Sequence, residues 1–293
     1  MQTLLGLRRQ IESATDLGSV VTTMKTLAAV SIHQYEEAVE ALKDYNRTIE
    51  LGFQVALRGK SPRLYREPTN ENVGVIVFGT NQGMCGQFNE EIVTLMNEWS
   101  RQRPSGSKCL LLAVGIRAQG HLHEIGWQTW RDYETPSSVN GITDLVQSML
   151  PQLEEFQERQ GVSQLLAFYN RRTSASLYQP TRLQLLPIDV KRLREWQQRE
   201  WDSNSLPCFV TDRRQLLSRL VRQYLFVSLF TACAESLASE NASRIVAMQA
   251  AEKNIQERLD ELRSTFNHLR QSAITEEILD VVTGFEALSG ESG

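Results

Sequence analysis

Hydrophobic runs long enough to span a bilayer are missing. Across 293 residues no uninterrupted apolar stretch reaches the roughly 18 residues that a membrane helix needs. Cysteine is scarce: Cys85, Cys109, Cys208 and Cys233 are the four, and no two are spaced as in a zinc ribbon or a thioredoxin motif. So few scattered thiols argue for reduced cysteines rather than a disulfide framework. Neither sign of charge dominates. With 31 Lys and Arg against 35 Asp and Glu, net −4, the chain lacks the basic face with which a nucleic-acid binder displaces counterions. The opening residues, Met1 to Arg9, carry no long apolar core and no small-residue cleavage site, so no export signal is expected. Proline is absent before Pro62 and after Pro207. What remains, 41% hydrophobic and 23% charged residues, is the composition of a chain that folds around a core. The length suits one large domain or two modules.

The two proline-free ends read as long helices. Leu4, Leu7, Ile11 and Ala14 are spaced three, four and three. A looser stretch passes through Leu17, Val21 and Met24, and the seam resumes at Ala28, Ile32, Tyr35, Val39 and Leu42, with Ile49, Phe53 and Ala56 extending it. A helix of that length runs roughly 80 Å, and its narrow stripe suggests a coiled coil. It ends at the loop signal Arg58-Gly59-Lys60-Ser61-Pro62. The C-terminal segment is helical from near Thr211, with Thr211 or Asp212 as cap, to about Leu288. Its residues Ile255, Leu259, Leu262, Phe266, Leu269 and Ala273 form a strict heptad seam.

Between these ends the pattern alternates. Strands are expected at Val73–Phe78, Lys108–Val114, Trp127–Tyr133 and Ser163–Asn170, with an edge strand at Ser176–Pro187. Helices are expected at Phe88–Trp99, Arg117–Ile125 and Ile142–Gln160. Short apolar strands alternating with helices argue a mostly parallel sheet covered on both faces. A polar linker from Asp189 to Pro207 follows, with Trp196 and Trp201 as anchors to the sheet. The organisation is an N-terminal coiled-coil helix (1–58), an α/β globular domain with its linker (59–208) and a C-terminal coiled-coil helix (209–293). The fold class is α/β: a Rossmann-like central domain with the two terminal helices paired antiparallel as a stalk.

No constellation supports catalysis. The glycine-rich segment Gly79-Thr80-Asn81-Gln82-Gly83-Met84-Cys85-Gly86 follows the first strand, where a phosphate cradle is possible in principle. It has neither Gly-x-Gly-x-x-Gly spacing nor a Gly-Lys-Ser/Thr ending, so Gly83, Cys85 and Gly86 read as a structural turn. Cys85 has no histidine beside it in sequence. His121 and His123 offer two imidazoles without an evident third ligand, and His33 and His268 read as ordinary helix residues. Glu276, Glu277 and Asp280 read as a charged helix surface. No cofactor or metal is expected.

Several ordered blocks resemble the gamma subunit of F-type ATP synthases over nearly the whole chain. Leu7-Arg8-Arg9-Gln10-Ile11-Glu12-Ser13 is similar to the family's opening Ile-Arg-x-Lys-Ile-x-Ser. Val20 to Ala29 resembles its Ile-Thr-Lys-Ala-Met-Glu-Met-Val-Ala-Ala, and Gly83 to Asn89 its Gly-Leu-Cys-Gly-x-x-Asn. Glu235 to Met248 is similar to Glu-x-x-Ala-Ser-Glu-x-x-Ala-Arg-Met-x-Ala-Met. Asn267 to Gly284 is similar to Asn-x-x-Arg-Gln-x-x-Ile-Thr-x-Glu-Ile-x-Glu-Ile-x-x-Gly. The chain departs from the pattern at Thr80-Asn81-Gln82, at Phe285, where alanine is common, and at Lys25, which replaces an acid. Such departures resemble a divergent branch, that of an alternate sodium-type ATPase.

The resemblance implies a non-catalytic central rotor that couples ion translocation through the membrane ring to ATP synthesis or hydrolysis. Its partners would be the alpha and beta subunits, the epsilon subunit and the membrane ring of c subunits. Association with the membrane would be peripheral, through the complex, at the cytoplasmic face of a bacterial plasma membrane or at a thylakoid membrane. Arg270, Gln271, Thr275 and Glu277 would meet the beta subunits. Photosynthetic members carry a dithiol insert that this chain lacks, so no thiol control is expected. The rival readings are a Rossmann-like nucleotide-binding enzyme with helical extensions and a static coiled-coil scaffold.

Overall fold

The structure, a computed structural model, describes residues 3–58, 72–104, 107–173, 178–201, 204 and 207–290, with side chains up to 283. In chain order the elements are α1 (Leu4–Leu57), β1 (Val73–Phe78), α2 (Phe88–Arg101), β2 (Cys109–Val114), α3 (Ile116–Glu124), β3 (Arg131–Tyr133), α4 (Val139–Arg159), β4 (Gln164–Arg172), β5 (Tyr178–Leu186), α5 (Val190–Gln198) and α6 (Arg213–Gly290). The expected loop after Arg58, and Ser176 and Leu177 of the last strand, lie outside the described residues.

The sheet order is β3-β2-β1-β4-β5. The first four strands run parallel, and β5 joins β4 antiparallel at the edge. All of β1 is buried, as its unbroken apolar run requires of a strand covered on both faces. One face, through Ile76, Phe78, Leu112 and Tyr169, packs against α4, α5 and parts of α1 and α6. The other, through Val75, Val77, Leu111 and Phe168, packs against Ile92 and Met96 of α2 and Leu122 of α3.

Two expectations are corrected in detail. The third strand is confined to Arg131–Tyr133; before it, the Trp130 N–H donates to the Leu111 carbonyl of β2 at 2.7 Å, and the Trp127 N–H donates to the Leu122 carbonyl of α3 at 2.9 Å. The Asp189–Pro207 linker contains α5. Asp189 caps it by accepting from the Lys191 N–H at 2.9 Å, and Leu193 and Trp196, three apart, give it a buried face. Trp196 anchors on helices: it stacks on Phe53 of α1 at 5.0 Å and meets Tyr224 of α6 edge-on at 6.1 Å. Asp212 caps α6 by accepting from the Arg214 N–H at 3.0 Å.

The chain forms two compact units, residues 28–245 and residues 1–27 with 246–293. In the second of these, Lys25 Nζ lies 2.5 Å from Glu252 Oε2. A Cβ on Gly18 would lie 3.7 Å from Ile255 Cγ2. The contact moves forward along α6 as it moves backward along α1, so the two segments are antiparallel.

Candidate functional site

The unit that holds both chain ends is built on two heptad seams. On α6, Leu259 and Leu262 are buried, and Ile255, Phe266 and Leu269 are half-buried. On α1 the seam is Leu7, Ile11, Ala14, Gly18, Val21 and Lys25, spaced four, three, four, three, four. It therefore runs without a break through the stretch from Leu17 to Met24, where the apolar spacing alone is loose. Leu17 is 58% exposed, and Gly18 takes the seam position beside Ile255. Lys25 also occupies a seam position. The basic residue that departs from the family pattern meets an acid, Glu252, four residues after Met248 and three before Ile255 in the α6 seam. A charged layer of this kind selects one register among the slips that an all-apolar seam would tolerate.

Beyond Leu269 the cover ends. Every described side chain from Arg270 to Thr283 is exposed. Arg270, Gln271, Thr275 and Glu277 all fall in this stretch. Arg270 and Glu277 are seven residues apart and project from one side of the helix. The Thr275 hydroxyl donates to the Gln271 backbone carbonyl at 2.9 Å, and the Gln271 side chain is exposed. Ile274, Ile278 and Val281 line another stripe of the same helix and are also exposed. This stretch therefore presents an apolar stripe beside charged and amide groups on one exposed helix.

The glycine turn lies in the other unit and is filled by its own side chains. A Cβ on Gly79 would fall 2.3 Å from the Ala118 Cβ, so α3 packs directly against the start of the turn. Thr80 and Asn89 exchange hydrogen bonds of 3.0 and 2.9 Å. The Asn81 Oδ1 accepts from the N–H of Ile116 and of Thr135, which satisfies the N-terminus of α3 from within the chain. Gly86 has φ +62°, a left-handed conformation that glycine adopts freely. A Cβ on Gly83 would meet the Arg117 guanidinium at an ordinary contact distance of 3.8 Å. Cys85 is buried, its carbonyl accepts from the Ser243 hydroxyl of α6 at 2.6 Å, and burial pushes its thiol pKa up, reinforced by Glu240. Such a thiol is a poor nucleophile.

The remaining candidates are dispersed. His121 pairs with Glu124 at 3.2 Å, His123 sits 3.4 Å from the Thr129 hydroxyl and His33 lies 3.3 Å from Glu37. His268, Glu276 and Asp280 are exposed. Among the described residues no three His, Cys, Asp or Glu side chains gather closely enough to hold a metal ion. α6 also carries a buried ion pair that the sequence pattern does not single out: Arg244 Nη2 and Glu240 Oε1 are 2.5 Å apart, both groups less than a tenth exposed. Their spacing of four residues was the available signal, but surface pairs have the same spacing.

A sequence profile described as ATP synthase matches residues 3–288. The chain belongs to the ATP synthase gamma-subunit family. Solved structures share the fold. A chain of the Euglena gracilis mitochondrial ATP synthase (OSCP/F1/c-ring, rotational state 3) is 18% identical with TM-score 0.65, covering 99% of this chain and 96% of that one. A chain of the rotor of the same synthase in rotational state 1 is 17% identical with TM-score 0.61, covering 92% and 98%. A chain of the Tetrahymena thermophila mitochondrial ATP synthase (central stalk/c-ring) is 19% identical with TM-score 0.57, covering 79% and 99%. The mixed α/β architecture with long helices at both chain ends is thus that of the gamma subunit. Among the described residues no helix is long and apolar enough to cross a membrane.

Proposed function

We propose that this gamma subunit is a non-catalytic central rotor. In this reading, segments 1–58 and 209–293 are the torque-bearing helices, and 59–208 is the body that meets the rest of the rotor. The observation that carries it is the uncovered end of α6, where an apolar stripe and the polar positions Arg270, Gln271, Thr275 and Glu277 are exposed together. The related structures are described as rotor, central stalk, F1 and c-ring assemblies. By family membership the partners here are the alpha, beta and epsilon subunits and a ring of c subunits. The chain joins a membrane only through that ring, at a bacterial plasma membrane or a thylakoid membrane.

A rotor must push without sticking. Charge-assisted hydrogen bonds of about 1.5–3 kcal/mol each hold firmly enough to transmit torque and release as the shaft turns. The Arg270 guanidinium, a planar fork, suits a carboxylate on the beta subunit, and Gln271 supports it from the next position. Arg270→Ala combined with Gln271→Ala lowers ATP turnover or ion coupling several-fold, measured on the purified complex with its subunit stoichiometry intact. Full turnover and coupling in a correctly assembled double variant would remove these residues from the transmission path.

A further inference from the structure

The α1 seam is thinnest between Thr15 and Thr26. Its positions there are Gly18, Val21 and Lys25, and of these only Val21 buries an apolar side chain, whereas Leu7 near the start of the seam is fully buried. Gly18 offers no side chain, and Lys25 ends in the ion pair with Glu252. Local chemistry also works against the helix. Thr15, Val20, Val21, Thr22, Thr23 and Thr26 are β-branched and lose side-chain freedom in a helix. Each is about threefold less favourable there than alanine, and Gly18 about fivefold. The hydroxyls compete for backbone acceptors. Thr15 donates to the Ile11 carbonyl at 2.8 Å, Ser19 to that of Thr15 at 3.2 Å, Thr22 to Gly18 at 3.0 Å, Thr23 to Ser19 at 2.9 Å and Thr26 to Thr22 at 3.0 Å. Each shares the carbonyl that the same residue's N–H uses, which weakens and bends a helix.

The facing stretch of α6 is opposite in kind. From Gln249 to Leu262 it holds no glycine, and Ile255 is its only β-branched residue. Strong helix formers fill most of it. Lys253 pairs with Glu257 at 3.8 Å, the Gln256 amide donates to Asp260 at 3.1 Å and Arg258 pairs with Glu261 at 2.8 Å, all within the one helix. Leu259 and Leu262 are buried. Two helices of unequal strength thus share one seam. We propose that Thr15–Thr26 is the compliant element of this unit, opening and twisting locally while α6 stays helical beside it. Few buried apolar contacts and a low intrinsic helix preference are what place a segment at the low-stability end of a fold. In the rotor reading, on which this use rests, α6 is the stiff member and this stretch of α1 stores twist between steps.

Native-state hydrogen exchange of the full chain, read by mass spectrometry and corrected for intrinsic rates, tests the opening without any partner. Amides of Ser19–Lys25 are expected to exchange faster than those of Gln249–Leu262 by about tenfold or more. Val20→Ala, Thr22→Ala and Thr23→Ala, all at exposed positions, are combined in one variant. It slows the α1 amides by about tenfold or more and leaves the α6 amides unchanged. Equal exchange of the two stretches, or no slowing in the triple variant, would overturn the assignment. In the assembled complex the same variant narrows the angular spread of a bead carried on the rotor at each stall. An unchanged spread in a complex that turns would overturn the mechanical role. A wild-type complex that does not turn removes the rotor reading and leaves the exchange result standing.

Discussion

Cys85, Cys233 and Cys208 differ in what surrounds the sulfur. Cys85 and Cys233 are 1% and 2% exposed, whereas Cys208 is open to solvent. Burial pushes the thiol pKa of both Cys85 and Cys233 up, and the nearby Glu240 carboxylate adds to it. Burial pushes that of Cys109 up to about 11. A raised thiol pKa means less thiolate at mildly alkaline pH, and the thiolate is the species that reacts. Iodoacetamide therefore labels Cys208 well before Cys109, and labels Cys85 and Cys233 only on unfolding, as peptide mapping by mass spectrometry would report. Labelling of Cys85 at the rate of Cys208 would mean that the turn opens in the native state. The turn was legible in sequence as a glycine-rich strand-to-helix connection without a phosphate-binding fingerprint. That Gly79 is needed for contact with Ala118, while Gly83 is not tightly packed, depends on how close α3 comes, and local spacing carries no information about that.

Within α6, Glu240 and Arg244 form a buried pair with Asn241, whose Oδ1 accepts from Arg244 at 3.2 Å. Arg244 Nε and the hydroxyls of Ser236 and Ser239 are buried beside them without partners. Burial pushes the Glu240 carboxyl pKa up, and the Arg244 charge only partly offsets this. Removing one member leaves the other charged and unpaired, at a cost of about 3–5 kcal/mol. Replacing both by apolar residues of similar size costs far less. Glu240→Gln and Arg244→Met are each strongly destabilising, and Glu240→Leu with Arg244→Met recovers most of the loss in denaturant unfolding. The pH dependence has a definite sign. Because the carboxyl binds its proton more tightly in the folded state, its contribution is fully present below the unfolded pKa. That contribution declines as pH rises through the folded value. The wild type therefore loses stability with rising pH in that window, and the double variant loses the slope. Strictly additive single and double losses would show that the two groups are not coupled.

At the scale of the whole chain, the two ends meet in one compact unit. The pairing of α1 with α6 rests on the Lys25–Glu252 contact and on the approach of Gly18 to Ile255. The ion pair is partly exposed, its side chains 31% and 44% accessible, so it contributes about 1 kcal/mol or less. Its value lies in register rather than strength. Gly18→Cys with Ile255→Cys forms an intramolecular disulfide under mild oxidation, visible as a mobility shift in non-reducing electrophoresis of a monomeric band. Crosslinks only between separate chains would contradict the antiparallel pairing.

The sequence alone determined the lengths of the terminal helices, the alternation of strands and helices between them, and the family. Proline exclusion, apolar period and ordered motifs are local or linear properties, and each survives being read one residue at a time. Whether a heptad position is filled by an apolar side chain is equally local, which is why the α1 seam looked broken at Gly18 and Lys25. Tertiary structure decided that a glycine and a lysine belong in that seam, because only the opposing helix supplies the Ile255 side chain and the Glu252 carboxylate. It also decided that the polar linker hides α5, whose Trp196 stacks on Phe53 of α1. Burial and hydrogen-bond satisfaction are properties of what lies opposite a residue. In this chain the opposing residues are often more than a hundred positions away.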